Sequence, residues 1–176
     1  MANTYTLIQA QTLASATLTV TFSSIPATYT DLVLRHSART VSADPNEILV
    51  YTFNGGVGGT TYSVTQVRGN GSVANSNATT NASSLYGGYT DADAATANTF
   101  GNAEVYIPSY LVAQNKPVSS FSVSENNSAA AGAAWIVANA GLSRSTAAVS
   151  SIVIAGINGV NFMANSSFYL YGIKNS

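Results

Sequence analysis

Apolar and polar residues alternate with a period of two along much of the chain. Thr17-Leu18-Thr19-Val20-Thr21-Phe22 sets Leu18, Val20 and Phe22 on one face and three threonines on the other. That is the pattern of a half-buried strand, in which successive side chains point to opposite sides. Asp31–Arg39 repeats it, with Leu32, Leu34, His36 and Ala38 in one phase. Ile48–Phe53 is rich in β-formers and runs into Asn54-Gly55-Gly56, a turn signal that predicts a hairpin with Thr60–Val67 as its second strand. Further strands are expected at Tyr5–Ile8, Ala103–Ile107, Val118–Val123, Val149–Ala155 and Phe168–Ile173. Ala129–Asn139 mixes alanines with Gly132, Trp135, Ile136 and Val137, and is read as strand rather than helix. Arg68–Ser84 and Asp91–Thr99 are polar and aperiodic, and are read as long loops.

Eight to ten short, mostly antiparallel strands predict an all-β chain folded as one jelly-roll-like β-sandwich over residues 1–176. Leu18, Val20, Phe22, Leu32, Leu34, Ile152, Ile154, Phe168 and Leu170 are its expected core. Residues 1–16 admit two readings. Tyr5, Leu7, Ile8 and Leu13 suit an uncharged extended arm that lies along a partner's sheet edge. They equally suit the first strand of the chain's own sandwich.

Composition narrows the function. Ala, Ser, Thr, Asn and Gly make up 100 of 176 residues, and only 7 % are charged, with a net charge of −1. Six basic residues are too few for the cationic surface that nucleic acid requires. Without cysteine there is neither a disulfide framework nor a thiolate metal site. No signal peptide is read at the N-terminus, and no apolar stretch approaches the roughly 20 residues of a membrane helix.

Chemistry-bearing motifs are weak. His36, the single imidazole, falls in the apolar phase of its strand and reads as a buried structural residue. Asp91-Ala92-Asp93 with Glu104 resembles a calcium loop only in its ends, because Ala95, Ala97 and Asn98 occupy positions that need oxygen ligands and glycine. Gly55-Gly56-Val57-Gly58-Gly59 lacks the lysine and following helix of a phosphate cradle. The expectation is a non-enzyme with no cofactor and no metal. Ten tyrosines stand out, among them Tyr86 and Tyr89 around Gly87-Gly88, since tyrosine offers contact area with a polar tip.

The segments Met1–Ile8, Phe22–Leu34, Phe53-Asn54-Gly55, Phe100–Pro108 and Leu170–Lys174 together resemble a family of small phage virion proteins, common in phages of aquatic bacteria. The resemblance runs from Met1 to Lys174, and departs from the family where Gly56 stands in place of an aspartate after Phe-Asn-Gly. It implies a virion structural protein made in the host cytoplasm, of the head-decoration (cement) or tail-fibre type. The leading expectation is a capsid decoration subunit, a homo-oligomer and most simply a trimer, that contacts the major capsid protein through Tyr5, Leu7, Ile8, Leu13, Tyr86 and Tyr89. The alternative is a tail-fibre module that reads a host glycan through Tyr and Trp135 platforms. Neither involves nucleic acid or a membrane.

Overall fold

The structure is a computed structural model, and it describes residues 4–55, 61–128 and 132–174. Twelve strands follow one another: β1 Tyr5–Thr12, β2 Thr19–Phe22, β3 Asp31–Ala38, β4 Asn46–Phe53, β5 Tyr62–Gly69, β6 Ala74–Ala82, β7 Leu85–Asp91, β8 Gly101–Ile107, β9 Lys116–Ser124, β10 Trp135–Ser143, β11 Ile152–Gly156 and β12 Ser167–Ile173. No helix occurs among the described residues. An eight-stranded sheet, β1-β12-β3-β8-β9-β10-β5-β6, packs on a four-stranded sheet, β2-β11-β4-β7. Every neighbouring pair is antiparallel. The all-β sandwich expected from the alternation is what forms, with twelve strands rather than eight to ten.

The core lies between the sheets. Val20 and Phe22, Leu49 and Tyr51, and Ile152 and Ile154 come from the small sheet. Leu32, Leu34, Phe168 and Leu170 come from the large one. All the expected core residues are there except Leu18, which is 51 % exposed. The ladder of β2 begins at Thr19, and Thr17 is instead bridged to Phe162, so Leu18 sits at a bend that turns it outward. Ile154→Val should therefore cost about 1 kcal/mol, the usual loss for one buried methylene. Leu18→Ala should stay within about 0.5 kcal/mol, as surface changes do. Denaturant midpoints of the two variants test this, and equal costs would place Leu18 back in the core.

Two further expectations are corrected. Strand β4 does not form a hairpin with β5. It pairs with β11 and β7, and β5 pairs in the other sheet with β10 and β6. Asn54 and Gly55 do take positive φ of 55° and 66°. Yet Asn54 ties the turn to β11, accepting from Ser150 N at 2.8 Å through its Oδ1 and donating its own N–H to Ser151 O. Residues 56–60 of that expected hairpin tip lie outside the described residues. Second, Arg68–Ser84 is no long loop. It is the end of β5, a turn at Asn70–Val73, and β6. Strand β6 is the outer edge of the large sheet and almost wholly exposed, so its residues carry no alternation to read. The loop expected at Asp91–Thr99 does form, apart from Asp91, which ends β7, and Arg39 holds it from inside.

Strand β7 escapes sequence reading because it passes through Gly87-Gly88. A Cβ at Gly87 would lie 2.1 Å from the Tyr51 ring, and one at Gly88, whose φ is 99°, would lie 1.8 Å from Ser122 Oγ. Only glycine lets the two sheets approach so closely here. Ala129–Asn139 resolves into β10 from Trp135 onward, while 129–131 lie outside the described residues.

Residues 5–12 form an edge strand of the large sheet, paired along β12 with a bulge between Leu7 and Gln9. Beyond the bulge Gln9 and Gln11 donate side-chain N–H groups to Ser23 O and Thr21 O, each at 2.7 Å. These bonds latch the edge of the large sheet to β2 of the small one.

Candidate functional site

Five of the thirteen charged residues are buried and used inside the fold. Arg39 is buried, and its guanidinium donates to the carbonyls of Asp93, Ala95, Thr96 and Thr99 and to Thr99 Oγ1. Lys116 is buried and donates to the carbonyls of Val112, Gln114 and Thr146, and burial pulls its pKa down. Asp31 accepts from Tyr106 Oη and Ser109 N, and Glu47 accepts from the backbone and side chain of Asn158. Asp91 is fully buried, with Oδ1 accepting from Asn126 Nδ2. Asp93 meets Arg39 only through its backbone, so the two aspartates do not converge on a common point. No group of three or more His, Asp or Glu side chains able to hold a metal occurs among the described residues.

His36 lies on the inward phase of β3 and is 4 % exposed. Its Nε2 shares a 2.7 Å hydrogen bond with Tyr51 Oη, and its Nδ1 has no partner. The ring packs beside Tyr51 and Phe168. Burial lowers its pKa to about 4, so the imidazole is neutral near pH 7, and it raises that of the Tyr51 phenol.

The outer face of the large sheet is unusual. On β9 the alternation is inverted: Ser120, Ser122 and Ser124 are buried, while Phe121 is 51 % exposed. On β10 Val137 and Asn139 point inward and Ile136 outward, 52 % exposed. Register places Phe121 opposite Ala138, and Ala138 opposite Val67, which is 61 % exposed. Serine lies inside because β7 passes so close above it. Further along the same face the Arg35–Glu104 ion pair spans 2.7 Å, with the Arg35 guanidinium 5.3 Å from the Tyr5 ring.

The six residues expected to make contacts are dispersed. Tyr5 and Leu7 are exposed on β1, and they lie on the outer side with Tyr171. Ile8 and Leu13 pack against the core, as does Tyr86. Tyr89 is in a different setting. Its ring stacks on Trp135 with centroids 5.1 Å apart and planes within 16°. Arg68 hydrogen-bonds the Tyr89 hydroxyl and lies 5.1 Å from the Trp135 centroid, while its Nε is held by Asn75 Oδ1 at 2.7 Å. Trp135 Nε1 donates to Gly132 O at 2.9 Å. The stacked pair walls a cleft of about 310 Å³, with Asn46, Glu47 and Asn158 among its other lining residues. Sequence reading singled out Tyr89 and Trp135 separately. Their stacking was not legible, because β7 and β10 belong to different sheets, and Arg68 fell in a segment read as loop. Compared with known proteins, the chain matches no family model and no curated protein.

Proposed function

We propose that the protein is a non-enzymatic structural subunit of a bacteriophage virion. It decorates the head shell and docks through the outer face of its eight-stranded sheet. The observation that carries this reading is the inverted alternation of β9, continued by outward-facing residues of β10 and β5. Ser120, Ser122 and Asn139 are buried there while Phe121 of β9, Ile136 of β10 and Val67 of β5 face water. Exposed apolar groups gathered on one face mark an interaction surface, and the resemblance of the sequence to small phage virion proteins supplies the partner, the major capsid protein. Tyr5 and Leu7, exposed on β1, form the border of this face rather than a free arm. Both edge strands of the large sheet, β1 and β6, carry no charged residue. Edges left without charge are suited to pairing with further chains, which favours a homo-oligomer on the shell, most simply a trimer.

The test is occupancy. Gel densitometry of purified virions should give a copy number comparable to that of the shell subunits, and a handful of copies per particle would overturn the reading. The double variant Phe121→Asp/Ile136→Asp should keep its melting transition, since both side chains are exposed. It should bind empty capsids at least about tenfold more weakly, as loss of central interface residues does. Unchanged capsid binding by this variant would remove the outer face from the interface.

A further inference from the structure

The Tyr89–Trp135 cleft meets the proposed docking stripe only at Ile136, which borders its second cavity, and it has its own chemistry. We infer that it is a binding site for a neutral oligosaccharide, with Trp135 as the platform between two sugar-binding positions. The inference does not depend on where in a virion the protein sits.

Four observations lead there. First, the aromatic wall is held before any ligand arrives. The indole is fixed by its bond to Gly132 O, by the stacked Tyr89 ring and by Arg68, and the backbone N–H of Trp135 donates to Ser124 Oγ at 3.2 Å. A rigid aromatic surface loses little conformational freedom on binding.

Second, Trp135 borders two cavities. One, of about 310 Å³, holds Tyr89, Asn46 and Asn158. The other, of about 300 Å³, is lined by Asn70, Glu125 and Ile136. Both fall in the range of small-ligand pockets. An elongated ligand that crosses the indole would occupy both.

Third, the free polar atoms around the wall are mainly acceptors. Asn158 gives one Nδ2–H to Glu47 Oε2, and Asn46 gives one to Gly132 O, and neither side-chain oxygen has a partner among the described residues. The Asp44 carboxylate also lines the cleft. A ligand that satisfies them must donate several hydrogen bonds while offering an apolar face to the rings. A pyranose does both, with hydroxyls around its rim and C–H groups on its face.

Fourth, charge excludes the alternatives. Asp44 and Glu47 in one cavity and Glu125 in the other oppose an anionic ligand. The Arg68 guanidinium, already within 6 Å of both ring centroids, opposes an ammonium group that would otherwise suit the aromatic faces.

Trp135 is the only tryptophan, so its emission reports the site directly. The protein should be titrated with neutral hexasaccharides of glucose, galactose, mannose and N-acetylglucosamine, and with the corresponding monosaccharides. At least one hexasaccharide should change the emission saturably, and bind roughly tenfold or more tighter than its monosaccharide, as two occupied positions require. In calorimetry, Tyr89→Ala and the exposed-site variant Asn158→Ala should each weaken that hexasaccharide by about tenfold or more. Phe121→Ala, outside the cleft, should not. Absence of any emission change at millimolar hexasaccharide overturns the inference. So does binding that Asn158→Ala and Tyr89→Ala both leave intact, or a preference for choline over every sugar. Equal affinity for hexasaccharide and monosaccharide overturns the two-position arrangement.

Discussion

Arg39→Ala should lower stability by about 3–5 kcal/mol, because it strips several buried carbonyls of their donors at once. The guanidinium is 5 % exposed and makes five hydrogen bonds, four of them to the carbonyls of Asp93, Ala95, Thr96 and Thr99. Four of the nine residues between β7 and β8 are alanine, and Ala92 and Ala95 are the buried ones among them. The loop therefore has little of its own to fold around, and Arg39 serves as its internal scaffold. Each carbonyl left unpaired costs about 1–3 kcal/mol if it stays dry. Water can reach part of the loop, so the sum is not realised. For a chain of this size the change corresponds to a fall in Tm of roughly 10 °C. Arg39→Lys should recover only part of it, because an ammonium has three donors and lacks the planar fork that reaches four carbonyls. Limited proteolysis supplies a second readout: cleavage between residues 92 and 100 should appear in the alanine variant. A loss below about 1 kcal/mol with an intact loop would show that Arg39 holds nothing.

Arg39 also shows where sequence reading stops. It follows the inward run of Leu32, Leu34, His36 and Ala38 but lies one step out of phase, and nothing local says that it turns inward to serve a loop more than fifty residues away. The strands that were legible are those with a buried phase of mostly large apolar residues at every second position, as in β2, β3, β11 and β12. Strand β6 has no buried side to create a period, and β7 is read through two glycines whose role is defined by Tyr51 on the neighbouring β4 and by Ser122 across the sandwich. In β9 the period was legible but its sense was not. Apolar Phe121 and Val123 would be placed inside by any local rule, and the close approach of β7 reverses them. The candidate site was partly legible as residue types, Tyr89 and Trp135, because large amphipathic rings stand out in a chain of small residues. Its geometry was not, since it depends on which strand lies over which. The hairpin expected after β4 failed for the same reason. A turn signal fixes the local φ of Asn54 and Gly55, but the next strand's place is set by the sheet that can bury Tyr62 and Val64.

Acid should weaken the fold through His36 over a defined window. In the unfolded chain its imidazole titrates near pH 6.5, and in the fold burial holds the value at about 4. Between these limits the unfolded state binds a proton that the folded state refuses. Stability is then constant above about pH 6.5, falls as the pH drops, and levels off below about pH 4. The total is roughly 3 kcal/mol, at 1.36 kcal/mol for each unit of pKa difference. The cause is spatial. The ring lies between Tyr51 and Phe168, with Ala103 and Phe168 as its neighbours across the two ladders. Its one hydrogen bond is to a neutral phenol, and among the described residues no carboxylate pairs with the ring. Protonation would leave a buried charge with a donor at Nδ1 and nothing to accept it. Urea midpoints at intervals from pH 7.5 to pH 4 should show the decline, and His36→Gln, which keeps a polar side chain without a titrating group, should flatten it. The carboxylates contribute equally to both proteins, so the difference between the two curves isolates His36. Because the chain has a single histidine, its imidazole proton resonance is unambiguous. A midpoint near 6.5 for that resonance in the folded protein, or parallel curves for the wild type and His36→Gln, would mean that the imidazole is hydrated and that β3 and β4 do not close over it.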